Sequence, residues 1–363
     1  MKKCLWLLIL FLIPLKVMGS SSYIVMDGDS KRVLEGDNIH VEKLIASTSK
    51  IMTALIAIEN GNLDEEVIVS KEVLKAYGSN VYIEMGEKIT LRDLLYGLLL
   101  RSGNDCAIEI AYKISGSMEE FVSLMNKKAK ELGMEHTNFI NSSGLEDENK
   151  VGNTSTAYDM GLLMSYAIDN DTFKEISGTK RHVVTTNYKT YDWHNKNKLL
   201  SSYKYTIAGK TGFTKLARRT LVTAALKDEK RLVVVTLNDP DDFINHKYLY
   251  EKNFKKYNKV NLLKKGKITV DNNPFYDNLY IDKDISILLT SEEEKKVEIN
   301  YELDKKDNFQ DDEVVGKVLI KLDGKVIGTE TIYVKKDDNM ANDKKNKSFW
   351  EKLLDIIIFW RYW

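Results

Sequence analysis

The sequence runs to 363 residues and 41.7 kDa, with 43% hydrophobic and 30% charged residues. That is enough apolar material for one large core or two domains, and too much for a chain that stays disordered. Lys+Arg and Asp+Glu each total 54, so nothing in the charge calls for a nucleic-acid partner. Cys4 and Cys106 are the two cysteines and the five histidines are scattered, with no H-E-x-x-H pair, so neither a disulfide scaffold, a metal nor any other cofactor is expected.

Taken in chain order, residues 1–19 join Lys2 and Lys3 to the apolar run Leu5–Ile13 and end at Gly19, the pattern of a secretory signal peptide. Tyr23–Asp27 and Arg32–Leu34 flank Gly28–Lys31 as a β-hairpin. Lys50–Asn60 is apolar nearly all round, which predicts a helix buried inside the domain and ended near Gly61. Thr90 with Asp93, Ser117 with Glu120 and Thr156 with Asp159 cap three further helices, so helices should dominate from 43 to 168. Arg181–Thr186, Arg219–Leu226 and Arg231–Leu237 then read as strands of one antiparallel sheet. Strands at both ends of a helical block imply an α+β catalytic domain over 20–256, its sheet completed by distant pieces of chain.

From 257 to 335 the chain becomes Lys-rich with short β-like runs, which predicts a small all-β domain. Residues 336–347 read as a linker. Ser348 and Glu351 then form a capping box, and Phe349, Leu353, Ile356, Ile357 and Trp360 share one helical face over 348–363. At ~1.5 Å per residue this segment reaches about 24 Å, short of the ~30 Å hydrocarbon core. From Lys344 onward there are five basic and two acidic residues, a local +3. An amphipathic anchor lying on an anionic membrane surface is expected.

Three short motifs fall in one order. Ser47-Thr48-Ser49-Lys50 precedes the buried helix, and i,i+3 spacing sets the Ser47 hydroxyl beside the Lys50 amine. Burial would depress the lysine pKa toward neutrality and let it take the serine proton. Ser102-Gly103-Asn104 offers a hydroxyl and an amide in a turn, able to relay a proton and hydrogen-bond a substrate amide. Lys210-Thr211-Gly212 opens the later strands, where an exposed Lys and Thr on a sheet edge could hold a carboxylate while glycine admits the substrate backbone. Each motif alone is weak; S-x-x-K, S-x-N and K-T-G in this order are specific.

With these motifs the chain resembles the low-molecular-mass penicillin-binding proteins, serine-type D-alanyl-D-alanine carboxypeptidases. Ile45–Thr53, Leu100–Asp105, Thr137–Leu145, Asn197–Leu200 and Gly209–Thr214 look like family blocks in family order. The resemblance implies a β-lactamase/DD-peptidase-like fold and removal of the terminal D-Ala from peptidoglycan stem pentapeptides. It implies that Ser47 forms the acyl-enzyme, Lys50 is the base, and Ser102 and Asn104 position the lysine network and the substrate amide. It further implies that Lys210, Thr211 and Gly212 bind the substrate end, that the backbone N–H groups of Ser47 and Phe213 form the oxyanion hole, and that β-lactams are covalent inhibitors.

Two departures stand out. Lys215–Arg219 follows the third motif where many members have small residues, which resembles the sporulation-associated branch. Members often bring an arginine after the last core strand to the substrate carboxylate, whereas Asn238–Asp242 here is acidic, leaving open what completes that clamp. The rival readings are a serine β-lactamase, with Glu146 or Glu148 serving deacylation, and a non-catalytic β-lactam-sensing or wall-binding module.

Overall fold

The computed structural model describes residues 20–335, apart from Asn272 and Asp307. The expected signal segment, linker and terminal helix lie outside the described residues. The chain divides into two compact units, the first ending at Lys256 and the second beginning at Tyr257.

The first unit opens on the hairpin β1 (Ser22–Asp27) and β2 (Val33–Asp37). A two-residue strand β3 (Lys43–Leu44) leads into a 3-10 turn, Ala46–Ser49, and then α1 (Lys50–Asn60). β4 (Glu66–Ile68) pairs with β5 (Lys88–Thr90), ahead of α2 (Leu91–Leu100), α3 (Asn104–Ser115) and α4 (Met118–Glu131). β6 (Thr154–Ser155) returns to β3, followed by α5 (Ala157–Ala167) and α6 (Asp171–Gly178). After β7 (Arg181–Thr185), β8 (Thr190–His194) and a short α7 (Leu199–Ser202) come β9 (Thr206–Thr214), β10 (Arg218–Lys227) and β11 (Lys230–Leu237). α8 (Asp242–Lys256) closes the unit.

The main sheet has the order β2-β1-β11-β10-β9, antiparallel throughout, with β9 at its edge. Side chains alternate between its faces, so both must be covered where a strand is apolar on successive residues. Val222, Ala224, Val233 and Val235 join the core of the helical block, while Thr223 and Thr236 bond His246 of α8 on the other face. Helices thus lie on both sides of the sheet. α1 runs through the middle of the block, with every residue from Lys50 to Ala57 buried. Thr90, Ser117 and Thr156 do cap their helices, each accepting a hydrogen bond from the backbone N–H three residues on.

The expectation that Arg181–Thr186 joins the main sheet is corrected. This strand pairs with Thr190–His194 in a separate hairpin whose inner residues Tyr191 and Trp193 pack onto the helical block. Its outward residues are exposed, a half-buried alternation that a strand covered on both faces would not show.

The second unit contains a five-stranded antiparallel sheet built from Gly266–Ile268, Leu279–Ile281, Lys325–Val334, Glu313–Leu322 and Val297–Leu303, in that order. Asn258–Leu263 pairs separately with Ile285–Leu289. Ile287, Leu289, Val318, Ile320, Ile332 and Val334 centre its core. A four-residue helix, Ser291–Glu294, interrupts the strands behind a Thr290/Glu293 capping box.

Candidate active site

Ser47 lies in the 3-10 turn just ahead of α1, so its N–H is one of the first-turn donors that a helix leaves without an internal acceptor. The preceding Ala46 has φ +46°, a left-handed conformation that a non-glycine residue adopts at a cost of about 1–3 kcal/mol. Lys50 is fully buried, and its Nζ lies 3.1 Å from Ser47 Oγ, 2.7 Å from Asn104 Oδ1 and 2.6 Å from the Ser143 carbonyl. Burial, reinforced by the charge of Lys196, brings its pKa down to about 7. Two of the three partners are carbonyl oxygens, which can only accept. A neutral Lys50 therefore donates both N–H bonds to them and turns its lone pair to the Ser47 hydroxyl.

The Asn104 amide is itself fixed by donating to the Tyr77 carbonyl at 2.6 Å, and its backbone N–H donates to Ser79 at 2.7 Å. Ser102, nearly buried, has φ +65°. Its hydroxyl has no hydrogen-bond partner among the described residues, and it faces a cavity of about 380 Å³ that also takes in Ser47, Ser79 and Thr211.

The third motif lies on the edge strand β9. Gly212 is required there by close approach: a Cβ would stand 3.1 Å from the Ser47 amide nitrogen and 2.3 Å from Thr220 Oγ1. Lys210 is not exposed as expected. It is 1% exposed, its Nζ donates to the Thr211 carbonyl at 2.7 Å, and burial and the charge of Lys50 hold its pKa well below the ordinary lysine value. Register explains this, because Lys210 pairs with Val222 and points into the helical block, while Thr211 and Phe213 alternate to the other face.

Phe213 pairs with Arg219. The Arg219 carbonyl accepts the N–H of Asp239, on the β11 side, so Phe213 and Arg219 form a non-hydrogen-bonded pair. The Phe213 N–H accordingly points off the open edge of the sheet, into the cavity that Phe213 lines together with Ser47.

Sequence reasoning missed the Ser143–Gly144 turn. Gly144 has φ +80°, and a Cβ there would come within 1.8 Å of the Ala46 carbonyl oxygen. Asn141 Oδ1 accepts the N–H groups of Ser143 and Gly144, holding the Ser143 carbonyl against Lys50. Thr137–Leu145 stood out as a block, but a backbone carbonyl leaves no mark of its role in the residue type. Glu146 accepts the Thr214 hydroxyl, and neither Glu146 nor Glu148 lines the cavity.

Comparison with known proteins places the chain in a family. Residues 14–241 match the family model described as D-alanyl-D-alanine carboxypeptidase. The chain belongs to this family. Residues 246–339 match the C-terminal domain of penicillin-binding protein 5. The carboxypeptidase is 30% identical to D-alanyl-D-alanine carboxypeptidase DacF of Bacillus subtilis, over 89% of this chain and 86% of that protein. It is 28% identical to DacA of Escherichia coli K12, over 95% of this chain and 89% of that one. Among solved structures, penicillin-binding protein 5 of Haemophilus influenzae superposes with a TM-score of 0.73 at 26% identity, covering 88% of this chain and 97% of that one. The carboxypeptidase is thus a low-molecular-mass penicillin-binding protein and a serine hydrolase, and the β-lactamase and sensor readings are set aside.

Proposed function

We propose that Ser47, Lys50 and the β9 edge carry out the carboxypeptidase reaction as follows. The substrate peptide lies along β9, its penultimate D-Ala carbonyl between the N–H groups of Ser47 and Phe213. Ser47 Oγ attacks that carbon while its proton passes to Lys50 Nζ, and charge developing on the carbonyl oxygen is met by the two N–H donors. The C–N bond then breaks, Lys50 returns the proton to the leaving amine, and D-Ala departs. Water hydrolyses the Ser47 ester with Lys50 again taking the proton. Asn104 and the Ser143 carbonyl orient Lys50, and Ser102, with its hydroxyl free at the cavity, stands where it can relay a proton. Thr211 hydrogen-bonds the terminal carboxylate, and buried Lys210 holds the Thr211 carbonyl from beneath the strand. β-Lactams acylate Ser47 by the same attack.

The observation that carries this reading is the Lys50 amine, buried, 3.1 Å from Ser47 Oγ and fixed by two carbonyls. Wild type should release D-Ala from a soluble stem pentapeptide and become labelled by fluorescent penicillin, and Ser47→Ala should do neither. Label persisting on Ser47→Ala would refute the nucleophile.

The same proposal extends to location. Residues 1–19 export the chain, and 348–363 hold it to the outer face of the cytoplasmic membrane as an amphipathic helix; both rest on the sequence pattern. Among the described residues no helix is long and apolar enough to cross a membrane. Deleting 344–363 should release active enzyme into the soluble fraction, and a deletion that still sediments with membranes would refute that anchor. The sporulation assignment rests on Lys215–Arg219, and expression confined to spore formation would support it.

A further inference from the structure

Burial of Lys210 leaves the cavity without the exposed cation on β9 that the third motif promised. Three other cations line it: Lys196, Lys198 and Arg219. Lys196 donates to Ser79 Oγ at 3.2 Å, on the wall built by the Ser79 loop. Arg219 instead stands on β10, directly opposite Phe213 and diagonal to Thr211, on the sheet face that those two side chains share.

The Arg219 guanidinium is held in place. Its Nη2 lies 2.6 Å from Asp242 Oδ1, and its Cζ lies 5.3 Å from the centre of the Phe243 ring. Asp242 is 2% exposed, begins α8, and also accepts the Phe243 N–H at 2.7 Å. The remaining guanidinium nitrogens, including buried Nε, have no hydrogen-bond partner among the described residues. One end of a planar donor fork is thus pinned by a buried carboxylate while the side chain stays 40% exposed at the cavity wall. Such a fork matches a second carboxylate in geometry and in charge.

We infer that Arg219 binds the terminal carboxylate of the substrate beside Thr211, and that Asp242 positions it. The acidic segment that follows the last core strand then has a purpose. It brings no arginine of its own to the substrate; it supplies the carboxylate that aims an arginine from the neighbouring strand. The inference rests on the carboxypeptidase reading and adds to it the pair, Arg219 and Asp242, that reads the carboxylate.

The test compares diacetyl-Lys-D-Ala-D-Ala with its C-terminal amide, reading D-Ala or D-alaninamide release. Wild type should prefer the acid by about 100-fold or more. Arg219→Gln should lower kcat/KM for the acid by about 100-fold, mainly through KM, and for the amide by no more than about threefold. Arg219→Lys, which keeps the charge without the fork, should retain an intermediate preference for the acid. Asp242→Asn should shift the acid-to-amide ratio in the same direction by about tenfold. Equal losses on acid and amide in Arg219→Gln, or an unchanged ratio in both Arg219 variants, would overturn the inference while leaving the carboxypeptidase reading intact. Absence of release from both substrates by wild type would overturn that reading, and the inference with it.

Discussion

The two units of the chain reach stability by different routes. Among the described residues, every fully buried polar or charged side chain lies in the first unit, between Ser22 and Asn253. The second unit buries apolar side chains alone, on strands whose alternation matches their pairing. Left-handed non-glycine residues occur in both units. In the second unit they are Asp312 and Asp323, at turns, whereas in the first they include Ala46 and Ser102, beside the nucleophile and in the second motif. Buried lysines and strained backbone both cost folding free energy. Buried Lys50 and Lys210, with left-handed Ala46 and Ser102, mark a site where function has been favoured over stability.

Altering the buried amine tests that contrast most severely. Lys50→Arg keeps a cation but cannot deprotonate, so penicillin acylation should fall by about three orders of magnitude or more; near-normal acylation would remove Lys50 from the role of base. Gly144→Ala drives a Cβ into the Ala46 carbonyl, and should lower acylation by about 100-fold and stability by about 3 kcal/mol, read from stopped labelling and thermal unfolding. In the second unit Ile320→Ala removes a fully buried side chain. It should destabilise that unit by about 2–4 kcal/mol while acylation changes less than about twofold. A large loss of acylation there would mean that the units do not divide the work in this way.

The smallest effect concerns pH. Lys50 holds its proton less tightly in the folded protein than in the unfolded chain, so its cost is full below about pH 7 and fades as pH rises from there toward the ordinary lysine range. Lys50→Met should accordingly raise Tm by a few degrees at pH 6 and by less at pH 9.

How much of this was legible in the sequence follows from how local each signal is. The Ser47–Lys50 spacing is a property of one helical turn, and the caps at Thr90, Ser117 and Thr156 are equally local, so all could be read directly. α3 and α8 left weaker patterns because Asp105, Glu109, Asp242, His246 and Asn253 are buried inside them. Polar residues on the inner face erase the apolar stripe by which a helix is recognised. The side of β9 on which Lys210 falls depends on its register with β10, and a shift of one residue would reverse it. Arg219 and Asp242 meet only once β10 and α8 are folded together, and the Ser143 carbonyl is backbone. Neither has a signature that composition or spacing could reveal.

In the proposed reaction Lys50 works as a neutral amine. The rate of penicillin acylation of Ser47, measured from pH 5 to 9 at constant ionic strength, tests it most directly. The buried amine predicts a rate that climbs about tenfold per pH unit at the acid end and levels off above an inflection near 7. A rate that is flat across this range, or that is still climbing at pH 9, would contradict it.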